Sequence, residues 1–271
     1  MAIHPAAARH LARKILLLLV LVAATAAVVW WRDYHPLQES QPVTSTTRSS
    51  VSTNPDSFNK GQFSVNDPVS IWVVVNKGRL LPNTYVPTNL IIPKVALSEG
   101  SKSENMHLRQ DASAEVEKLV AAATSEGLKL MLVSGYRSWA TQQSVYNGYV
   151  AADGQAFADT TSARPGHSEH QTGLAADLGS VSRVCQLEAC FGDTPGGKWL
   201  AANAYQYGFI IRYPKDKTSL TGYAYEPWHL RYVGVDLATR INKTGQTLEQ
   251  FFGLPTYPDY PVQSYELKSG N

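Results

Sequence analysis

The uncharged run from Ile15 to Trp31 sets the limits on what this 271-residue chain can fold into. Arg9, Arg13 and Lys14 precede it, and its 17 residues sit at the lower end of the roughly 17–25 that span a bilayer as a helix. Trp30 and Trp31 suit the far membrane interface, and the positive residues place the short N-terminal stub in the cytoplasm. The expectation is an uncleaved anchor over residues 1–32. A cleaved signal peptide is the alternative, because Ala24 and Ala26 form an Ala-x-Ala site. In both readings the rest of the chain lies outside the cytoplasmic membrane, and no Cys follows the run to carry a lipid.

Residues 33–68 read as a linker. They are rich in Ser, Thr, Pro and Asn and have few branched apolar side chains, so they bury too little to offset the entropy of ordering. Packed-domain composition starts at Val69, giving a domain over 69–262 and a short tail over 263–271. The formal charge of +2, with Lys and Arg scattered, excludes the basic footprint of a nucleic-acid partner.

Within the domain the periodicity alternates irregularly between helix and strand. "VSIWVVV" (69–75), "LKLMLVSG" (128–135), "FIIRYP" (209–214) and "WHLRYVG" (228–234) predict strands. Val116, Leu119, Val120 and Ala123 share one face of a helix over 111–127 that Gly127 closes. Further helices are expected over 136–152, after a turn, and over 198–208. Short strands, many turn residues and no regular βαβ repeat point to an α+β fold, a small antiparallel sheet with packed helices, in a single domain.

Cys185 and Cys190 are both exported, and an even, close pair in an oxidising compartment reads as a local disulfide; two thiols of a metal site are the alternative. Of seven histidines, His167, His170 and His229 fall in two polar stretches, "PGHSEHQTGLAADLG" (165–179) and "EPWHLRYVG" (226–234). A lone buried His is more often a hydrogen-bonded core residue than a ligand. Here Gly173 and three small residues let His170 and Asp177 converge. Pro227 keeps Glu226 and His229 off a common helical turn, so a bend must bring the Glu over the strand's His. Two His and one Asp suit a tetrahedral Zn²⁺ with its fourth position open, and Glu226 beside it suits a general base.

These stretches resemble the Ser-x-His-x6-Asp and Glu-x-x-His pair of the VanY-like D-alanyl-D-alanine carboxypeptidases, zinc peptidases of bacterial peptidoglycan. "VVVNKGRLLPNTYVPTNL" (73–90) is similar to the family's entry segment and "SGYRSWATQQ" (134–143) to its Tyr-Arg-Ser-x-x-x-Gln motif. The resemblance implies His170, Asp177 and His229 as zinc ligands, Glu226 as catalytic base, and Arg137 and Gln142 as substrate-binding residues. Physical reasoning supports Arg137 separately, since a guanidinium grips a terminal carboxylate with two parallel charge-assisted hydrogen bonds. A surface salt bridge is its bland alternative. Ser168 could donate to the same carboxylate or simply cap a turn. Tyr136, Trp139 or Trp228 should shield that pocket. His167, one residue off the spacing, should point away from the metal, and Glu169 should be solvated or orient a ligand imidazole.

The resulting expectation is a membrane-anchored zinc D,D-carboxypeptidase that removes the terminal D-Ala from peptidoglycan stem peptides, acting as a monomer. An L,D-carboxypeptidase acting on tetrapeptide stems and a catalytically inactive wall-binding module are the alternatives.

Overall fold

The computed structural model describes residues 58–268. The expected anchor and the linker as far as residue 57 lie outside the described residues, among which no helix is long and apolar enough to cross a membrane. The packed unit starts earlier than composition suggests. Phe58 stacks on Trp72 with ring centroids 5.3 Å apart, and Phe63 meets the same indole edge-on at 5.0 Å. It also ends later, because Tyr265–Glu266 pairs with Arg79–Leu80 and Leu267 is buried. Residues 58–68 and 263–267 therefore belong to the domain and not to a linker and a tail.

The order of the main elements is β1 (Ala96–Leu97), α1 (Gln110–Ser125), β2 (Leu130–Ser134), α2 (Trp139–Asp153), α3 (Gln155–Thr161), β3 (Ala175–Ser180), α4 (Pro195–Asn203), β4 (Phe209–Tyr213), β5 (Glu226–Tyr232), α5 (Val235–Thr244) and α6 (Leu248–Phe252). The strands form one five-stranded sheet in the order β1-β2-β3-β5-β4. It is antiparallel except at its edge, where β1 runs parallel to β2. This is the expected α+β architecture.

The two faces of the sheet have opposite chemistry. Leu132, Ala176, Leu178, Leu230 and Phe209 point to one side, where Val116, Leu119, Val120 and Ala123 of α1 and Leu200 of α4 complete an apolar core. The helical stripe of α1 was legible because its i, i+3, i+4, i+7 spacing is that core contact. Past its C-terminus Gly127 adopts φ 82°, which a residue with a Cβ takes only with strain. The helix expected over 198–208 is α4 followed by a 3-10 turn, Ala204–Tyr207, closed by Gly208. On the other face of the sheet Asp177 sits directly across from His229 in the β3–β5 register.

Residues 69–75 are not the expected strand. Val73, Val74 and Val75 are fully buried, but arginine side chains take the carbonyls that a neighbouring strand would have taken. Arg231 Nη2 donates to Ile71 O at 3.1 Å and Val73 O at 2.7 Å, and Arg79 Nε donates to Val74 O at 2.9 Å. A continuous apolar run reports burial; it does not report what satisfies the backbone.

Candidate active site

A 3-10 turn over Glu169–Thr172 presents His170, and Gly173, with φ 69°, turns the chain into β3. A Cβ on Gly173 would stand 3.2 Å from the Arg109 backbone nitrogen, so close approach and backbone conformation both call for glycine here. Two irregularities in the sheet then aim the neighbouring groups. The register of β2 on β3 shifts between Leu132 and Ser134, which places Ser134 opposite Asp177. The register of β4 on β5 shifts between Ile211 and Tyr213, whose partners are Leu230 and Glu226. Residues three apart on a regular strand face opposite sides. The bulge supplies the bend that Pro227 demanded and leaves Glu226 Oε2 3.4 Å from His229 Nδ1.

One candidate ligand atom each from His170, Asp177 and His229 lies within 4.8 Å of the others, and all three residues are buried. His170 Nε2 is 3.3 Å from Asp177 Oδ2, and His229 Nδ1 is 3.4 Å from Asp177 Oδ1. His170 Nδ1 donates to Gly135 O at 2.6 Å, which fixes the tautomer and leaves the Nε2 lone pair directed into the site. Asp177 Oδ1 is buried with no hydrogen-bond partner. Burial lowers the His229 pKa, but Glu169, Glu226 and Asp177 outweigh it and push it up to about 10. Asp177 and Glu226 both face His229 Nδ1, at 3.4 Å each, and call for positive charge at this point. A proton on His229 meets that demand in part, and a divalent cation held by two imidazoles and a carboxylate would meet it fully, so the residues fit a zinc ion. Burial raises the Glu226 carboxyl above its ordinary range, only partly offset by His229. Burial also lowers His170, against Asp177, and leaves it a neutral base.

Arg137 lines the same cavity, of about 200 Å³, with Ser168, Glu226 and Trp228. It is not a surface salt bridge. Its Nη1 donates to Gln142 Oε1 and its Nη2 to Ser134 Oγ, both at 3.0 Å, which fixes the plane of the guanidinium. Gln142 lines the cavity beside Arg137. Its amide nitrogen donates to Ala163 O at 2.7 Å and its oxygen accepts from Arg137, so it braces the arginine. Ser168 makes no capping hydrogen bond from its side chain. Of the three aromatic residues expected to shield the pocket, Trp228 lines it; Tyr149, Tyr213 and Tyr223 take the places given to Tyr136 and Trp139. His167 points away as expected, its Nδ1 2.8 Å from Asn76 O.

Glu169 is fully buried, not solvated, and its Oε2 lies 3.7 Å from His229 Nε2, too long for a hydrogen bond but with no nearer partner for either atom. Arg212 Nε and Arg231 Nη1 donate to its other oxygen at 2.8 and 2.7 Å. Burial opposes ionisation of Glu169, but the two arginines hold its carboxyl well below the usual range. Arg212 also pairs with Glu249, so two cations and two anions balance behind the site. Sequence reasoning missed Arg212, Arg231 and Glu249. The available signal was an arginine inside each of two short apolar strands, where a charge persists only with a buried partner.

Cys185 and Cys190 form a disulfide, with Cα atoms 5.6 Å apart, so neither sulfur is available to a metal.

Comparison with known proteins agrees with this geometry. The family described as VanY, D-alanyl-D-alanine carboxypeptidase, matches residues 105–235. A putative carboxypeptidase of Bacillus subtilis, YodJ, is 42% identical over 214 residues, covering 77% of this chain and 78% of its own. The solved LdcB LD-carboxypeptidase is 44% identical with a TM-score of 0.66, covering 70% of this chain and 88% of that one. A vancomycin-resistance D,D-pentapeptidase, VanY from a VanB-type cassette, solved with Zn(II), is 33% identical with a TM-score of 0.56, covering 66% and 97%. With the motif residues gathered around one cavity and relatives matched over most of their length, this chain belongs to the VanY family of D-alanyl-D-alanine carboxypeptidases.

Proposed function

We propose that the chain is a zinc-dependent carboxypeptidase that removes the terminal D-alanine from peptidoglycan stem peptides. The observation that carries this reading is the placement of one fixed guanidinium, Arg137, in the same small cavity as the His170, Asp177, His229 and Glu226 cluster. A cation site alone would serve many hydrolases. An arginine that reads a free chain end makes the cut an exopeptidase cut.

His170 through Nε2, His229 through Nδ1 and Asp177 through its carboxylate would hold the ion, which when bound acts as a Lewis acid toward water and the scissile carbonyl. Glu226 takes the proton of the attacking water and returns it to the leaving amine, and burial raises its carboxyl pKa above the ordinary value. Arg137 anchors the terminal carboxylate, so that the bond one residue inward meets Glu226. Tyr213, whose ring lies 4.8 Å from that of His229, walls the imidazole from solvent.

The D,D bond of a pentapeptide is the assignment expected from the motifs. The L,D bond of a tetrapeptide is favoured by a specific observation: identity to the LD-carboxypeptidase LdcB is 44%, against 33% to the D,D-pentapeptidase. Both substrates end in D-Ala and both offer Arg137 the same carboxylate. The test is mass spectrometry of the full chain incubated separately with pentapeptide and tetrapeptide stems. Loss of one D-Ala from either supports the carboxypeptidase reading and identifies the bond; release of a dipeptide, or no release, overturns it.

A further inference from the structure

The cavity of about 200 Å³ is smaller than the ~300–1,000 Å³ that encloses a whole drug-sized ligand. It therefore takes the end of a peptide and leaves the remainder across its rim. With the terminal carboxylate on Arg137, the chain that crosses the rim is the part on the amino side of the scissile bond. Two elements line the cavity with apolar side chains that are partly open to solvent: α2 through Val145 and Tyr149, and the segment leaving β3 through Leu187.

That segment is built in an unusual way. Arg183, Cys185 and Leu187 have φ of 59°, 54° and 58°, a left-handed conformation that costs free energy for residues with a Cβ and persists only where the surroundings impose it. The Cys185–Cys190 disulfide brackets Leu187, and Arg183 Nη2 donates to Ser98 O at 3.0 Å. Leu187 itself is 42% exposed, so its own burial does not hold it in place. The backbone is constrained around an apolar side chain that gains little from folding.

We propose that Leu187 is a specificity-determining residue: the disulfide-closed loop presents it at the rim, where with Tyr149 it packs against the stem peptide on the amino side of the scissile bond. This inference rests on the carboxypeptidase reading. The disulfide acts as a positioning device. Without it the segment relaxes from its left-handed residues and Leu187 leaves the rim, while His170, Asp177, His229 and Glu226, carried by the sheet and the 3-10 turn, stay in place.

The experiment measures kcat, KM and bound metal for the full chain as wild type, Leu187→Ala and the Cys185→Ser/Cys190→Ser double variant. Each is assayed on the stem peptide that the wild type cleaves and on the N-blocked dipeptide that ends it, which keeps a single residue on the amino side of the scissile bond. Both variants should raise KM for the stem peptide by about fivefold, the loss expected for part of one leucine contact, with little change in kcat. Bound metal and kinetics on the blocked dipeptide should stay as in the wild type. Unchanged KM for the stem peptide in Leu187→Ala overturns the proposal, as does an equal rise on both substrates, which would make the loop a prop for the metal site. A wild type that cleaves neither substrate overturns the carboxypeptidase reading and this inference with it.

Discussion

The Nε2 atom of His229 faces Glu169 Oε2 at 3.7 Å, on the opposite ring nitrogen from the one that meets Asp177. Glu169 thus faces the candidate metal site from behind, and it is also the acceptor for two buried guanidinium groups, those of Arg212 and Arg231. Glu169→Gln removes the charge that both arginines need. It should destabilise the domain by about 3–5 kcal/mol, as breaking a buried pair does, and weaken metal binding about 10–100-fold. Denaturant unfolding of the metal-free protein and a metal-competition titration separate the two effects. A variant with unchanged metal affinity would remove Glu169 from the site.

Metal loading should release about one proton at neutral pH. The site holds His229 protonated below about 10, whereas His170 is already neutral and Asp177, lowered by its two imidazole neighbours and Arg137 in spite of its burial, is already ionised. Only His229 must lose a proton to ligate. Affinity should therefore fall as pH falls, by about tenfold per unit while His229 stays protonated in the free protein. Calorimetry of zinc binding in buffers of different ionisation enthalpy counts the protons directly. A count of zero would mean that His229 is neutral before the ion arrives.

Base and ligands should separate on mutation. Glu226→Ala should retain zinc and lose about 10²–10⁴-fold in kcat, the range for removing a general base. His170→Ala should lose the ion. Elemental analysis beside steady-state kinetics decides it, and zinc loss from Glu226→Ala as ready as from His170→Ala would reverse the two roles.

Arg137 and Gln142 should differ in degree. Arg137→Ala leaves a substrate carboxylate without its cationic partner in the cavity, which costs about 2–5 kcal/mol in kcat/KM. Arg137→Lys cannot reproduce two parallel bonds to Gln142 and Ser134 while gripping a carboxylate, so it should also be impaired. Gln142→Ala only loosens the arginine and should cost less. Comparing a free-acid peptide with its C-terminal amide tests the basis of this order: the wild type should prefer the acid, and Arg137→Ala should lose most of the preference. Equal cleavage of both by the wild type would point to an endopeptidase.

The candidate ligands and base, expected from local spacing and from the family resemblance, are groups close together in sequence. His170 and Asp177 are linked by a glycine turn into one strand, and Glu226 and His229 share another, so each pair is constrained by a few bonds along the chain. The apolar stripe of α1 and the closely spaced Cys185 and Cys190 are local in the same sense. Only the tertiary structure decided what depends on pairs distant in sequence. The Asp177–His229 register joins the two halves of the site across a separation of 52 positions in the chain. Glu169 finds Arg212 and Arg231, Gln142 braces Arg137, and guanidinium donors replace a strand at residues 69–75. An arginine in a short apolar strand has the same letter whether its partner is water or a carboxylate 43 or 62 residues away. Sequence therefore determined which groups are candidates for the chemistry, and packing decided which groups hold them, because a buried charge is defined by its neighbours in space.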